Sequence, residues 1–264
     1  MTGPLGAAEL DADDDTLADR FRDADVVLLG EVHDNAEHHI LQARLTAALQ
    51  PSAIVFEMIE PGQARGITPR LRKDAVALEA HLAWEDRGWP DFSMYFPLFF
   101  MSHRAAIFGG ALPRDDVRRA VSESGAAVLG DAATLFGLDQ ALPADQQETR
   151  NALQQAAHCN ALPENILPGM VEAQRLRDAA LARAVVNALA QNNDGPVVVI
   201  AGNGHIREDW GIPHALRHYA EATGESLTIA TLAQYEVEAP DTPPVTHWVV
   251  TSAAPRSDPC EGFK

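Results

Sequence analysis

Two short segments of this 264-residue chain share one pattern, Gly-x-x-His: Gly30-Glu31-Val32-His33 and Gly202-Asn203-Gly204-His205. A third chemically capable residue, Glu57, follows the apolar run Ala53-Ile54-Val55-Phe56. Two imidazoles with one or two carboxylates suit two kinds of chemistry. They can ligate a divalent metal ion, with His33, His205 and Glu57 as the ligands. They can also do general acid–base work, and in a hydrolase Glu31 or Glu57 would be the group that activates water. One Gly-x-x-His alone carries little weight, because a histidine after a strand is often a hydrogen-bonded loop residue. Two of them, with an acid on a third comparable position, point to a single shared site.

Such residues must be held by the elements before them. Val26-Val27-Leu28-Leu29, Ala53-Ile54-Val55-Phe56 and Val197-Val198-Val199-Ile200-Ala201 are continuous apolar runs, the pattern of strands covered on both faces of a parallel sheet. Ligands of open parallel sheets bind beyond the carboxyl ends of the strands, which is where both glycine turns and Glu57 fall. Between the first two runs a helix is expected, capped by Asp34 with Glu37 as its capping-box partner, carrying Ile40, Leu41, Leu45 and Leu49 on its apolar face and stopped by Pro51. His38 and His39 on that helix read as a solvated face and a core-edge contact.

Further along, residues 63–87 are helix-rich and lead into an aromatic run at 92–100, which reads as core. A strand is expected over 105–112, a helix over 115–124, weakly periodic polar sequence over 137–160, and a long helix over 163–191. A helix at 213–223 and strands at 227–232 and 248–250 complete the alternation. The fold class is α/β, a mostly parallel sheet flanked by helices. Residues 1–22 read as a flexible lead-in, and 23–255 as one domain with a helical subdomain built mainly from 63–100 and 137–180.

With 38 acidic against 20 basic residues, the net charge of −18 repels nucleic-acid backbones and anionic lipid surfaces. No stretch approaches 18 consecutive apolar residues, and the start of the chain lacks the basic and apolar regions of an export signal, so the default expectation is cytoplasmic. Cys159 and Cys260 can pair in an oxidising compartment if the fold brings their Cα atoms within about 7 Å.

The blocks VVLLGEVHDNAEHH, IVFEM, RGWPDF, LPRDDVRRAV, HCNALPENILPGMVEAQRLRDAALA and VVVIAGNGHIR together resemble the ChaN-like branch of the haem-binding uptake, Tiki-type superfamily, over about residues 24–235. The resemblance implies haem binding or iron handling in a bacterial protein, often at the cell envelope, and it implies that His33, Glu57 and His205 occupy the superfamily's polar site. It also raises a homodimer enclosing ligand between helical regions. Region 137–191 has no tyrosine, so His158 and Met170 are the candidate iron ligands there. Arg114 and the Arg177–Asp178 pair are candidates for holding an anionic ligand group or supporting an imidazole. The competing reading is a metal-dependent hydrolase using the His/His/Glu site.

Overall fold

The structure, a computed structural model, describes residues 8–11, 16–191, 195–258 and 260–261. Among these, seven strands form one sheet: β1 (Ala8–Glu9), β2 (Val26–Glu31), β3 (Ala53–Phe56), β4 (Ala106–Gly109), β5 (Val197–Gly202), β6 (Ile229–Glu236) and β7 (His247–Thr251). The helices are α1 (Ala36–Leu49), α2 (Pro61–Arg65), α3 (Ala75–Leu82), α4 (Phe92–Met101), α5 (Arg114–Ser122), α6 (Gly125–Leu129), α7 (Ala144–Ala157), α8 (Leu167–Gln191) and α9 (Ile212–Thr223). The spatial strand order is β1-β7-β6-β2-β5-β3-β4, and every pairing is parallel.

The apolar runs are unbroken because both faces of the central strands are covered. Val27, Leu29, Ile54, Phe56, Val198 and Ile200 face one core, and the alternate residues Val26, Leu28, Val55, Val197 and Val199 face the other. Segments 63–100 and 137–180, expected to build one helical subdomain together, divide between these cores. Leu78, Trp84, Tyr95 and Phe99 pack in the first, while Leu138, Leu176 and Ala179 pack in the second. Of the aromatic run Phe92, Tyr95 and Phe99 are core, as expected, whereas Phe100 is exposed. The run forms α4, with Pro97 inside the helix.

Several local expectations are corrected. The described part of the supposed lead-in is structured. β1 pairs with β7, and a 3-10 turn over Leu17–Phe21 buries Leu17 and Phe21, which an acidic, Ala-rich composition does not reveal. Asp13, Asp14 and Asp15 lie outside the described residues. The cap of α1 is Asn35, whose extended backbone lets its side chain accept from the Glu37 N–H at 3.0 Å, whereas Asp34 pairs with Arg256. Ile40 is 68% exposed, whereas Leu41, Leu45 and Leu49 are buried as expected, together with His38, His39 and Gln42. α7 and the second half of β6 arise where the sequence pattern is weak.

Cys159 and Cys260 form a disulfide with their Cα atoms 5.4 Å apart. Arg256, just before it in the chain, bonds Asp34 and Glu236. Among the described residues no helix is long and apolar enough to cross a membrane.

Candidate functional site

β2 and β5 are adjacent, in a register that sets Glu31 opposite Gly202, and β3 lies on the other side of β5. Their carboxyl ends therefore deliver His33, His205 and Glu57 to one crevice. The Glu57 carboxylate sits between the imidazoles, with Oε1 3.3 Å from His205 Nε2 and Oε2 3.8 Å from His33 Nε2. Arg177 donates to Oε1 at 2.6 Å and the Gly202 N–H donates to Oε2 at 2.8 Å. Both turns need their glycine for close approach rather than for a left-handed backbone. A Cβ on Gly202 would stand 3.0 Å from His33 Nε2, and one on Gly30 would overlap Asn203 Oδ1 in the opposite turn.

Behind His33 stands a buried carboxylate. His33 Nδ1 lies 2.7 Å from Glu31 Oε1, which also accepts from Tyr95 Oη at 2.6 Å. Gln42 donates to the other oxygen at 2.8 Å. His39 Nε2 lies 2.9 Å from the His33 carbonyl, so α1 fixes the turn from below. The His33 side chain is 33% exposed and meets the edge of Trp89, with ring centres 5.0 Å apart. His205 is different. It is buried, Asp178 Oδ1 meets its Nδ1 at 2.5 Å, and the Gln174 amide lies against the ring.

The charges follow from these contacts. Burial opposes a charged His205, but Glu57 and Asp178 outweigh it and push its pKa up to about 9. Burial also opposes charge on His33, yet the Glu31 hydrogen bond and the nearby carboxylates leave its pKa raised. Burial alone would lift Glu57; His205, His33 and Arg177 together hold it well below the usual carboxylate range. Asp178 goes the other way. Burial lifts it, His205 and Arg150 only partly compensate, and its Oδ2 has no hydrogen-bond partner among the described residues. The crevice is thus a proton-sharing ion network. Burial pushes the Tyr95 hydroxyl up, reinforced by Glu31, so it stays a donor. His38 is lowered to about 4 by burial and is neutral, accepting the Val32 N–H at 2.9 Å.

The expected divalent-metal set of His33, His205 and Glu57 finds no support. Among the described residues no group of three or more His, Cys, Asp or Glu side chains is arranged to hold a metal ion. The physical reason is visible at Glu57, whose oxygens already meet two imidazoles, an N–H and a guanidinium, and a guanidinium at 2.6 Å repels a dication.

The Arg177–Asp178 pair splits its work, Arg177 on Glu57 and Asp178 on His205. His158 and Met170 are not brought to the crevice. His158 ends α7, its Nδ1 2.8 Å from the Gln154 carbonyl, and Met170 lies in the first turn of α8. Arg114 begins α5 and donates to the backbone carbonyls of Asp86 and Arg87. Sequence reasoning missed Tyr95, Gln42, Gln174 and Trp89. Only the tyrosine left a signal, as a polar-edged aromatic in an otherwise apolar stretch. Beside Glu57, Arg177 and Trp89 the crevice opens into a cleft of ≈ 330 Å³.

An all-parallel α/β protein whose strand ends interlock two Gly-x-x-His turns around a buried carboxylate is a specific class of molecule. The family model described as haem-binding uptake, Tiki superfamily, ChaN matches residues 17–216, and the chain belongs to that family. No curated protein matches it. Among solved structures, that described as cofacial haem binding to ChaN of Campylobacter jejuni is similar at a TM-score of 0.66 and 20% identity, covering 88% of this chain and 89% of that one. More distant matches are the type III effector HopBA1 (TM-score 0.48, 12% identity, 90% and 93% covered) and an erythromycin esterase EreC H289N mutant (0.42, 17%, 84% and 74%).

Proposed function

We propose that this chain binds haem and serves iron uptake or handling. The observation that carries the reading is the family match over residues 17–216. The Campylobacter jejuni relative is described as binding haem cofacially, which fits two copies of a chain enclosing ligand between them, and a homodimer is proposed here on that ground. Of the candidate iron ligands, His158 fits best. Its Nδ1 faces the Gln154 carbonyl, and donation there leaves the Nε2 lone pair for iron. Met170 is the second candidate. When bound, haem would supply the iron chemistry; the chain's part is to bind and orient it. The Cys159–Cys260 bridge supports an oxidising compartment.

Hemin titration tests the reading. A Soret shift is expected with the wild type, lost in His158→Ala and kept in His33→Ala. Loss in His33→Ala alone would move the ligand to the strand-end crevice, and no shift in the wild type would remove the haem reading.

One observation favours hydrolysis as a second reading. His33 is aimed by Glu31 and Tyr95 and keeps a third of its side chain exposed, as a general base for water must be. Turnover of p-nitrophenyl acetate in the presence of EDTA, lost in His33→Ala, is the expected sign; an inert wild type would end this reading.

A further inference from the structure

The cleft beside Glu57 departs from the electrostatics of the rest of the molecule. In a chain of net charge −18, four arginines line it, Arg87, Arg114, Arg118 and Arg177. Two are neutralised at close range, Arg87 by Glu60 at 2.8 Å and Arg177 by Glu57 at 2.6 Å. The other two are not. Among the described residues Arg118 meets only Asp115, with both side chains more than three-quarters exposed, a pair that water screens until it is worth little. Arg114 donates to two backbone carbonyls, and no carboxylate partners it among the described residues. Four residues apart on α5, Arg114 and Arg118 point from the same helix face. Glu57, already paired with Arg177, also lines it, and the rest of the wall is apolar, with Trp89, Leu112, Val117 and Leu181. A concave site of ≈ 330 Å³ with apolar sides and a few convergent cations is the form of a small-molecule pocket.

We infer that this cleft binds a flat apolar molecule bearing a carboxylate, with Arg114 and Arg118 taking the carboxylate and Trp89 and Leu181 flanking the body. Charge-assisted bonds to guanidinium set the orientation, and the aromatic wall favours a planar body. Two sources share this chemistry: the propionate edge of a tetrapyrrole, which rests on the haem reading, and a free aromatic carboxylate, which does not.

The test uses matched acid and neutral probes on the full chain. Protoporphyrin IX is compared with its dimethyl ester, and 2-naphthoate with 2-naphthamide, by tryptophan quenching and calorimetry. The acid is expected to bind about ten-fold tighter or more, and the preference to vanish in R114Q/R118Q. Because Arg114 also holds the backbone at 86–87, R118Q alone is measured as well and should reduce the preference with unchanged circular dichroism. Preference in the porphyrin arm alone identifies a tetrapyrrole; preference in the naphthalene arm alone identifies a free acid. No binding of any probe, equal binding of acid and neutral forms, or a preference that survives both variants overturns the inference. The hemin Soret shift is read separately: a shift without acid preference refutes only the cleft, and acid preference without a shift refutes only the haem reading.

Discussion

His33 and His205 end the same motif on neighbouring strands, yet they sit in opposite environments. His205 is buried between two carboxylates, Glu57 and Asp178, and is held charged, its pKa up to about 9. His33 hydrogen-bonds one carboxylate, Glu31, stands 3.8 Å from Glu57, and keeps a third of its side chain exposed. A motif fixes where an imidazole emerges; the residues behind it decide whether it becomes part of the frame or the open edge of the site. Here α8 supplies Asp178 and closes over His205, while α1 and α4 support His33 from below and its Nε2 faces Glu57.

The contrast can be broken first at Asp178. Its replacement by alanine leaves a charged imidazole with one buried partner, and urea unfolding should show a loss of about 3–5 kcal/mol. A loss below about 1 kcal/mol would mean that His205 is not an ion in the folded protein. Changing pH should have the next largest effect. A histidine whose folded pKa is raised stabilises fully below its unfolded value of about 6.5, and that contribution is lost as pH rises through about 9. The melting temperature should therefore fall by several degrees between pH 6.5 and 9, and the fall should flatten in His205→Gln. An unchanged slope in that variant would assign the dependence elsewhere. His33→Ala should have the smallest effect on stability, under about 1 kcal/mol, because the imidazole end is partly exposed and Tyr95 and Gln42 still donate to the buried Glu31. A larger cost would make the two histidines equivalent and erase the comparison.

The crevice was legible because strand ends are. Continuous apolar runs ending in glycine fix where β2 and β5 stop, and in a parallel sheet all carboxyl ends lie along one edge; the order β2-β5-β3 then makes His33, Glu57 and His205 neighbours. What lies beneath them was not. Tyr95 stands 64 residues from the Glu31 it bonds, inside a segment whose hydrophobicity says only core. His38 reads as a solvent face, yet it is buried with His39 and Gln42, because the Val32 N–H donates to His38 while backbone carbonyls and Glu31 meet His39 and Gln42. β1 and the buried Phe21 were hidden by an acidic composition, since two residues pairing with β7 leave no periodic signal. The disulfide was readable only as an option. The proximity of residues 101 positions apart belongs to the fold, not to the cysteine count.

The glycines of the two turns carry a consequence for how such a site can change over evolution. Position 30 is empty of a side chain so that Asn203 of the opposite turn can occupy the space, and position 202 is empty so that His33 can. Each turn is the mould in which the other is cast. A side chain at either position must displace a side-chain atom of the opposite turn, so substitutions in the two turns are expected to be coupled. A library randomised jointly at 30 and 203 should return functional variants as compensated pairs, whereas independent tolerance at the two positions would show that the mould is loose.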